Sequence, residues 1–308
     1  MNIYKNISAF GVPGKLVLRK AGMLFLSPSV QRNFKGWIFS FLSALALLFI
    51  HTPASLSQSD NFALGSRAAS LGNAYSMESD IWSVQHNQAG LGFYPHFSIG
   101  FHHENKFIVP ENNLHALALT LPVNAGTFGF SYTYFGFSLY NESKLGVAFG
   151  KQFGNGFAGG IQLNFHHNYL EGQYGERNAL SIEGGIQYKA NENLVFGAHL
   201  FNPTRARISS DQDTIPTIFR SGVSIVPFES LKVLLQVEKR LDMDMRFQTG
   251  LEYQLIESLY LRGGLMTKPF TSTFGLGYDM GKISADVAFS HHQILGFTPH
   301  FSLQVKFK

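Results

Sequence analysis

The chain has 308 residues, a formal net charge of +4 and no cysteine, and only 14% of its side chains are charged, against about 25% in soluble domains. The low charge predicts that part of the surface faces something other than water. The lack of cysteine excludes disulfides, thiolate metal ligands, cysteine nucleophiles and the lipid-bearing cysteine of a lipoprotein. The modest positive charge, part of which lies near the amino terminus, provides no basic stripe for nucleic acid.

The first predicted element is an export signal. The only long apolar run, residues 37–50 (WIFSFLSALALLFI), has 14 residues, fewer than the roughly 20 that span a bilayer as a helix but suited to the apolar part of a signal peptide. We therefore predict a signal peptide with a long n-region over residues 1–57 and a mature chain that begins at Gln58. Either Met1 or Met23 can be the true start. A retained inner-membrane anchor is the alternative.

Residues 58–94 form the second predicted unit. Residues 62–93 read FALGSRAASLGNAYSMESDIWSVQHNQAGLGF and are rich in Ala, Gly and Ser. This composition predicts short helical pieces or tight turns and not a strand.

The third unit, residues 95–308, alternates between apolar and small or polar side chains. In the last segment, Phe301, Leu303, Val305 and Phe307 alternate with His300, Ser302, Gln304 and Lys306. About fourteen such segments occur at spacings of about 15 residues, which suits tilted membrane-crossing strands with short connections. Turn sequences such as 123–126 and 154–156 separate them. The pattern predicts an all-β fold, a transmembrane antiparallel β-barrel of about fourteen strands in the outer membrane of a Gram-negative bacterium.

A soluble β-sandwich also alternates, so the polar face has to discriminate between the two folds. That face consists mainly of Gly, Ala, Ser and Gln with isolated charges of both signs, which favours an enclosed lumen over a solvated surface. Seven charged residues have the polar parity and are predicted to face the lumen and pair there: Glu183, Arg220, Glu238, Arg246, Glu252, Arg262 and Asp286.

A motif in the second unit resembles the opening signature of the FadL-like outer-membrane barrels, which include the PorV/PorQ-type proteins associated with type IX secretion. The signature has the form G-x-R-A-x-x-x-G-x-A, an acidic and Ser-containing stretch, and then N-P-A-G-L. The matching residues are Gly65, Arg67, Ala68, Gly72 and Ala74, then Asp80 and Ser83, then Asn87, Ala89, Gly90 and Leu91. Gln88 departs from the motif, because the pattern has Pro there, and this could loosen the turn.

The resemblance implies a barrel whose N-terminal segment folds into the lumen as a plug; a periplasmic linker is the alternative for this segment. It also implies passive passage or binding of hydrophobic small molecules, for which we expect an apolar pocket near the plug with Phe62, Tyr75 and Trp82 as candidate lining residues. The partners would then be outer-membrane lipid and a hydrophobic small molecule.

The second functional hypothesis that the resemblance implies is an accessory role in type IX protein secretion, with other envelope proteins as partners. A third is a barrel that serves only as an anchor, although the sequence offers no appended domain. Residues 202–216 (NPTRARISSDQDTIP) form the longest predicted loop and are the best candidate for a partner contact.

No catalytic, cofactor or metal site is predicted. Adjacent histidines, such as His102 and His103, point to opposite faces of a strand and cannot ligate one ion without help from other strands. We expect histidines near the ends of the barrel to be interfacial side chains. Ser290 beside His291 does not by itself make a hydrolase.

Overall fold

The computed structural model of the chain describes residues 61, 63–172, 175–208 and 215–307. Within these ranges the chain forms fourteen antiparallel strands: β1 (Phe97–Asn105), β2 (Asn113–Val123), β3 (Gly126–Gly136), β4 (Tyr140–Phe153), β5 (Phe157–Leu170), β6 (Gly175–Asn191), β7 (Leu194–Phe201), β8 (Ile218–Phe228), β9 (Leu231–Arg240), β10 (Arg246–Ile256), β11 (Leu259–Met266), β12 (Thr271–Asp279), β13 (Ile283–His292) and β14 (Gly296–Phe307). The predicted all-β barrel is confirmed. The predicted signal peptide lies outside the described residues.

The strands close into one barrel in sequence order, and β1 completes the ring by pairing with β14. At that seam Phe97 is opposite Phe307, and the register continues to Glu104 opposite His300. Closure satisfies the backbone groups that an open sheet would leave unpaired at its two edges.

The period-two pattern sorts side chains between the two faces of the wall. In β14, Phe301 and Phe307 are exposed on the outside whereas Ser302 and Gln304 are buried. The predicted turns at 123–126 and 154–156 connect β2 to β3 and β4 to β5.

The outer face carries a wide band of apolar side chains. Its members include Phe101, Leu117, Phe130, Leu145, Ile161, Leu163, Leu180, Ile186, Phe247, Leu251, Phe274, Leu276 and Val287, all exposed. A continuous apolar surface of this extent is unfavourable in water and is typical of a barrel wall in contact with lipid.

Residues 63–94, here called the lumenal segment, lie inside the barrel. They contain helix α1 (Ser66–Ser70), helix α2 (Ser83–His86) and a 3-10 helix (Gln88–Phe93); a second 3-10 turn, Lys106–Ile108, follows β1. Helix α1 packs against β12 and β13, and the first 3-10 helix packs against β4 and β5. The described residues contain no helix long and apolar enough to cross a membrane.

Glycines allow this segment to approach the wall closely. Gly72 has a φ of +62°, and a Cβ there would lie 2.7 Å from the carbonyl oxygen of Thr249. On the wall, Gly250 and Gly264 lie against the backbone of Leu71 and Gly72. The contact therefore requires residues without a side chain on both surfaces.

The longest connection is the one predicted, between Phe201 and Ile218, and residues 209–214 of it lie outside the described ranges. Its beginning is held by Asn202, whose buried amide donates to the carbonyl oxygens of Ala206 and Ile215. Ile208, Ile215 and Ile218 pack with Phe201 in a small apolar cluster below it.

Candidate functional site

Arg67, from the predicted motif, joins the lumenal segment to the wall. Its guanidinium donates to Glu252 on β10, with Nε to Oε2 at 2.7 Å and Nη2 to Oε1 at 2.9 Å. It also pairs with Glu78 at 2.6 Å and Asp80 at 3.4 Å, and it lies 5.5 Å from the centre of the Tyr75 ring. A fork of five donors is suited to holding several carboxylates at once.

The surrounding groups form what we call the lumenal charge cluster: Arg67, Glu78, Asp80, Lys232, Glu252, Arg262 and Asp286. Arg262 bridges the carboxylates of Glu252 at 2.7 Å and Asp286 at 2.5 Å, and Lys232 reaches Glu78 at 2.9 Å. Lys232, Glu252 and Arg262 are direct cross-strand neighbours on β9, β10 and β11. The charges of the cluster are thus satisfied by one another, as buried charges require.

Two titratable groups of the lumenal segment, Glu78 and His86, have lowered pKa values. Burial alone would raise the pKa of Glu78, but the charges of Lys232 and Arg67 outweigh it and hold that pKa below the usual range. Burial lowers the pKa of His86 to about 3. The neutral His86 ring can then donate through Nε2 to the carbonyl oxygen of Leu64, 2.8 Å away.

Glu183 is the centre of a second buried polar group. Gln162 and Asn164 each donate to its Oε1 at 2.8 Å, and His199 Nε2 lies 3.0 Å from Oε2. Lys144 lies 4.0 Å from Oε1. This group is a stabilising network with its acceptor largely satisfied, not a free carboxylate.

The remaining predicted lumen charges form a row across three strands. Arg220 on β8 pairs with Glu238 on β9 at 2.7 Å, and Arg246 on β10 pairs with the same carboxylate at 3.2 Å. The structure thus places all seven of the predicted charges on the inner face and brings them into pairs.

The candidate lining residues lie in a tightly packed region. Tyr75 and Trp82 are fully buried, the hydroxyl of Tyr75 donates to Asp80, and Phe62 lies outside the described residues. A cavity of about 400 Å³ adjoins Trp82. Its wall includes Arg67, Lys232, Glu252 and Arg262 together with the rings of Tyr94 and Tyr260, so it is polar and charged where we expected an apolar pocket. The reason is that the apolar side chains of the lumenal segment pack against each other, which leaves the charged groups to border the space.

The other motif residues have structural roles. Asn87 accepts from the backbone N–H of Ala89 and donates to the carbonyl oxygens of Ser76 and Ile186. Ser83 Oγ accepts from the backbone N–H of Asp80. Ala68, Ala74 and Leu91 are fully buried, and a side chain at Gly65 or Gly90 would overlap Trp82 or Ser83.

The turn at Gln88 is tight despite the departure from Pro. Its side chain donates to the carbonyl oxygen of Val84 at 3.2 Å. Its backbone lies against Gly160 of β5, where a Cβ would have no room. The expected loosening is therefore not seen.

Four histidines of the strands differ from our expectation of interfacial side chains. His102, His166, His199 and His300 are buried inside the barrel. His102 and His103 do face opposite sides, as predicted, but β14 brings His300 to the side of His102. Because parity assigns a face and not a neighbour, sequence reasoning missed this pair. It also missed Glu78, Lys144, Lys232 and His199, although Lys144, Lys232 and His199 have the parity of buried neighbours on their strands.

No protein-family model matches the sequence, and no curated protein is significantly similar to it. Solved structures are similar in fold. The toluene transporter TbuX of Ralstonia pickettii is 13% identical, with 80% of this chain and 99% of that one covered and a TM-score of 0.62. The Pseudomonas putida toluene transporter TodX is 12% identical, with coverages of 81% and 98% and a TM-score of 0.55. A Pseudomonas aeruginosa FadL homologue is 11% identical, with coverages of 79% and 98% and a TM-score of 0.54. At these identities the similarity shows a shared fold.

Proposed function

We propose that this chain is a FadL-like outer-membrane barrel that passes small hydrophobic molecules without an energy source. The observation that carries the proposal is the fold: a fourteen-strand barrel with a segment inside it aligns with almost the whole length of two toluene transporters. The apolar outer band supports a location in a membrane. Since those neighbours are transporters, the comparison is consistent with a role that is not enzymatic.

The lumenal segment is the part of the molecule that we propose to act as a plug. It fills the interior, so a passing molecule has to move along it or displace part of it. The cavity beside Trp82 has a volume within the usual range for ligand sites of about 300–1,000 Å³. Arg67, Glu252, Arg262 and Asp286 on its wall are paired with one another. A neutral aromatic molecule can therefore lie against Trp82, Tyr94 and Tyr260 without breaking these ion pairs.

Toluene uptake by cells that lack their own hydrocarbon channel tests this proposal. Expression of the chain should raise the initial rate above that of an empty-vector control, and Trp82→Ala should change that rate. Phe247→Ala, a substitution on the outer face, is the matched control and should leave it unchanged. Outer-membrane amounts and heat-modifiable gel migration are measured for every variant. Uptake equal to the vector control from a folded barrel in the outer membrane contradicts the proposal.

The accessory role in type IX secretion stays a prediction. No contact among the described residues favours it over transport, and the neighbours reported above are transporters or a FadL homologue by name. Loss of exported proteins on deletion of the gene is the result that would favour it.

A further inference from the structure

Three potential metal ligands meet at the seam where the barrel closes. His102 and Glu104 lie two residues apart on β1, so both face the lumen. His300 lies on β14, directly opposite Glu104 in the register. Nearly 200 residues separate the two strands, and barrel closure brings them together.

The ligand atoms of these side chains converge. One atom from each residue lies within 4.8 Å of the other two. His300 Nδ1 is 3.4 Å and His102 Nε2 is 3.9 Å from Glu104 Oε2. All three side chains are buried, and His102 is completely inaccessible.

These nitrogen atoms lack hydrogen-bond partners. Among the described residues, none bonds to Nδ1 or Nε2 of His102 or to Nδ1 of His300. Buried polar atoms in proteins are almost always paired, because an unpaired one keeps its desolvation cost. Two of these nitrogens, His102 Nε2 and His300 Nδ1, lie beside the carboxylate of Glu104, and a set of two imidazole nitrogens and one carboxylate oxygen is suited to binding a cation.

The other nitrogen of His300 is held in place. Its Nε2 lies 2.9 Å from Ser290 Oγ. When Nε2–H donates to that oxygen, Nδ1 presents a lone pair to the carboxylate of Glu104. Two acceptors then face each other, an arrangement that a bound cation stabilises. A polar partner on the far nitrogen is also how metal-ligating histidines are usually oriented.

We propose that His102, Glu104 and His300 bind a zinc-type divalent cation that joins β1 to β14. Two imidazoles and one carboxylate are a known zinc ligand set that leaves a fourth position for water. Ligand atoms in a tetrahedral zinc site lie roughly 3.3 Å apart, so the side chains need to move inward by about 1 Å. His102 also contacts Trp82 edge-on, with ring centres 5.9 Å apart, so the bound ion lies next to the lumenal segment.

Zinc titration of the purified, tag-free full chain in detergent tests this site. We expect the folded barrel to bind one zinc ion tightly and Glu104→Gln and His102→Gln to lose most of that affinity. Ser290→Ala should weaken binding by about 10- to 100-fold, the usual effect of losing a partner of a ligand. His103→Gln is the matched control. It removes the neighbouring histidine, which stacks on His115 instead, and should bind as the unsubstituted chain does.

X-ray absorption of the zinc-loaded, unsubstituted chain gives a second readout that does not depend on the folding of a variant. Scattering from two imidazoles and a carboxylate is expected. The proposal is overturned if the folded chain binds no zinc, if folded Glu104→Gln and His102→Gln bind it equally well, or if the bound zinc shows no imidazole scattering.

Discussion

Arg67 and Glu252 form a two-pronged ion pair between the lumenal segment and strand β10, with nitrogen–oxygen distances of 2.7 and 2.9 Å. They are 185 residues apart in the chain. Arg67 also pairs with Glu78. This one side chain therefore links two parts of the lumenal segment and joins them to the wall.

Replacing Arg67 tests that connection. Arg67→Met should lower the free energy of unfolding by about 3–5 kcal/mol, since it leaves buried carboxylates without their cation. The midpoint of urea unfolding, followed by tryptophan fluorescence and gel migration, measures the change. The control is Lys268→Met, which breaks an exposed pair with Asp244 and should leave the midpoint unchanged. Equal midpoints for the two variants would show that the Arg67 contacts do not stabilise the barrel.

Close packing of the lumenal segment is tested at Gly72. Gly72→Ala combines an unfavourable φ of +62° with a Cβ only 2.7 Å from a wall oxygen. Gly154 is the matched control because its φ is +65° and no atom lies within 4 Å of the added Cβ. We expect Gly154→Ala to lower the free energy of unfolding by about 1–2 kcal/mol. Gly72→Ala should lower it clearly more. Equal losses would mean that the segment does not press against β10 and β11.

The stability of the barrel should depend on pH through Glu78. Its pKa in the folded chain is below the ordinary value of about 4.5, so its contribution is present above that pH and is lost as the pH falls through the lowered pKa. The unsubstituted chain should be more stable than Glu78→Gln near pH 7, and this difference in the free energy of unfolding should shrink as the pH falls below the ordinary pKa of Glu78. Glu257→Gln, which replaces an exposed carboxylate, is measured in parallel as the control. A difference in stability between the unsubstituted chain and Glu78→Gln that does not change with pH would contradict the lowered pKa of Glu78.

Arginine substitutions in the apolar outer band test whether the outer face of the barrel contacts lipid or water. Leu163 lies in the middle of β5 and Phe153 at the end of β4, and their exposed fractions are 51% and 52%. In a bilayer, Leu163→Arg should lower the free energy of unfolding by about 2–4 kcal/mol and Phe153→Arg by about 0–1 kcal/mol. The difference arises because a charged side chain is more destabilising near the middle of the bilayer than near its surface. Folding into lipid vesicles at increasing urea concentrations measures both. A wall that faces water would give two small and similar costs.

Alternation along the chain predicted the strands, their approximate number and the face of each charge such as Glu252, because a period of two is fixed by the backbone. It could not predict that Glu252 meets Arg67, or that His102 meets His300. Such pairs depend on the register of each strand and on closure of the ring. The polar character of the cavity was not predictable for a related reason: Tyr75 and Trp82 pack with the other apolar side chains of the lumenal segment and are buried, so charged groups border the cavity instead.

Outer-membrane fractionation followed by gel migration of the detergent-extracted protein, with and without boiling, tests the central claim most directly. The account predicts that the mature chain sediments with the outer membrane and that its unboiled form migrates differently from the boiled one, as a closed barrel in lipid should. A chain recovered in the soluble periplasmic fraction would contradict the membrane barrel, and the proposed transport function would fall with it.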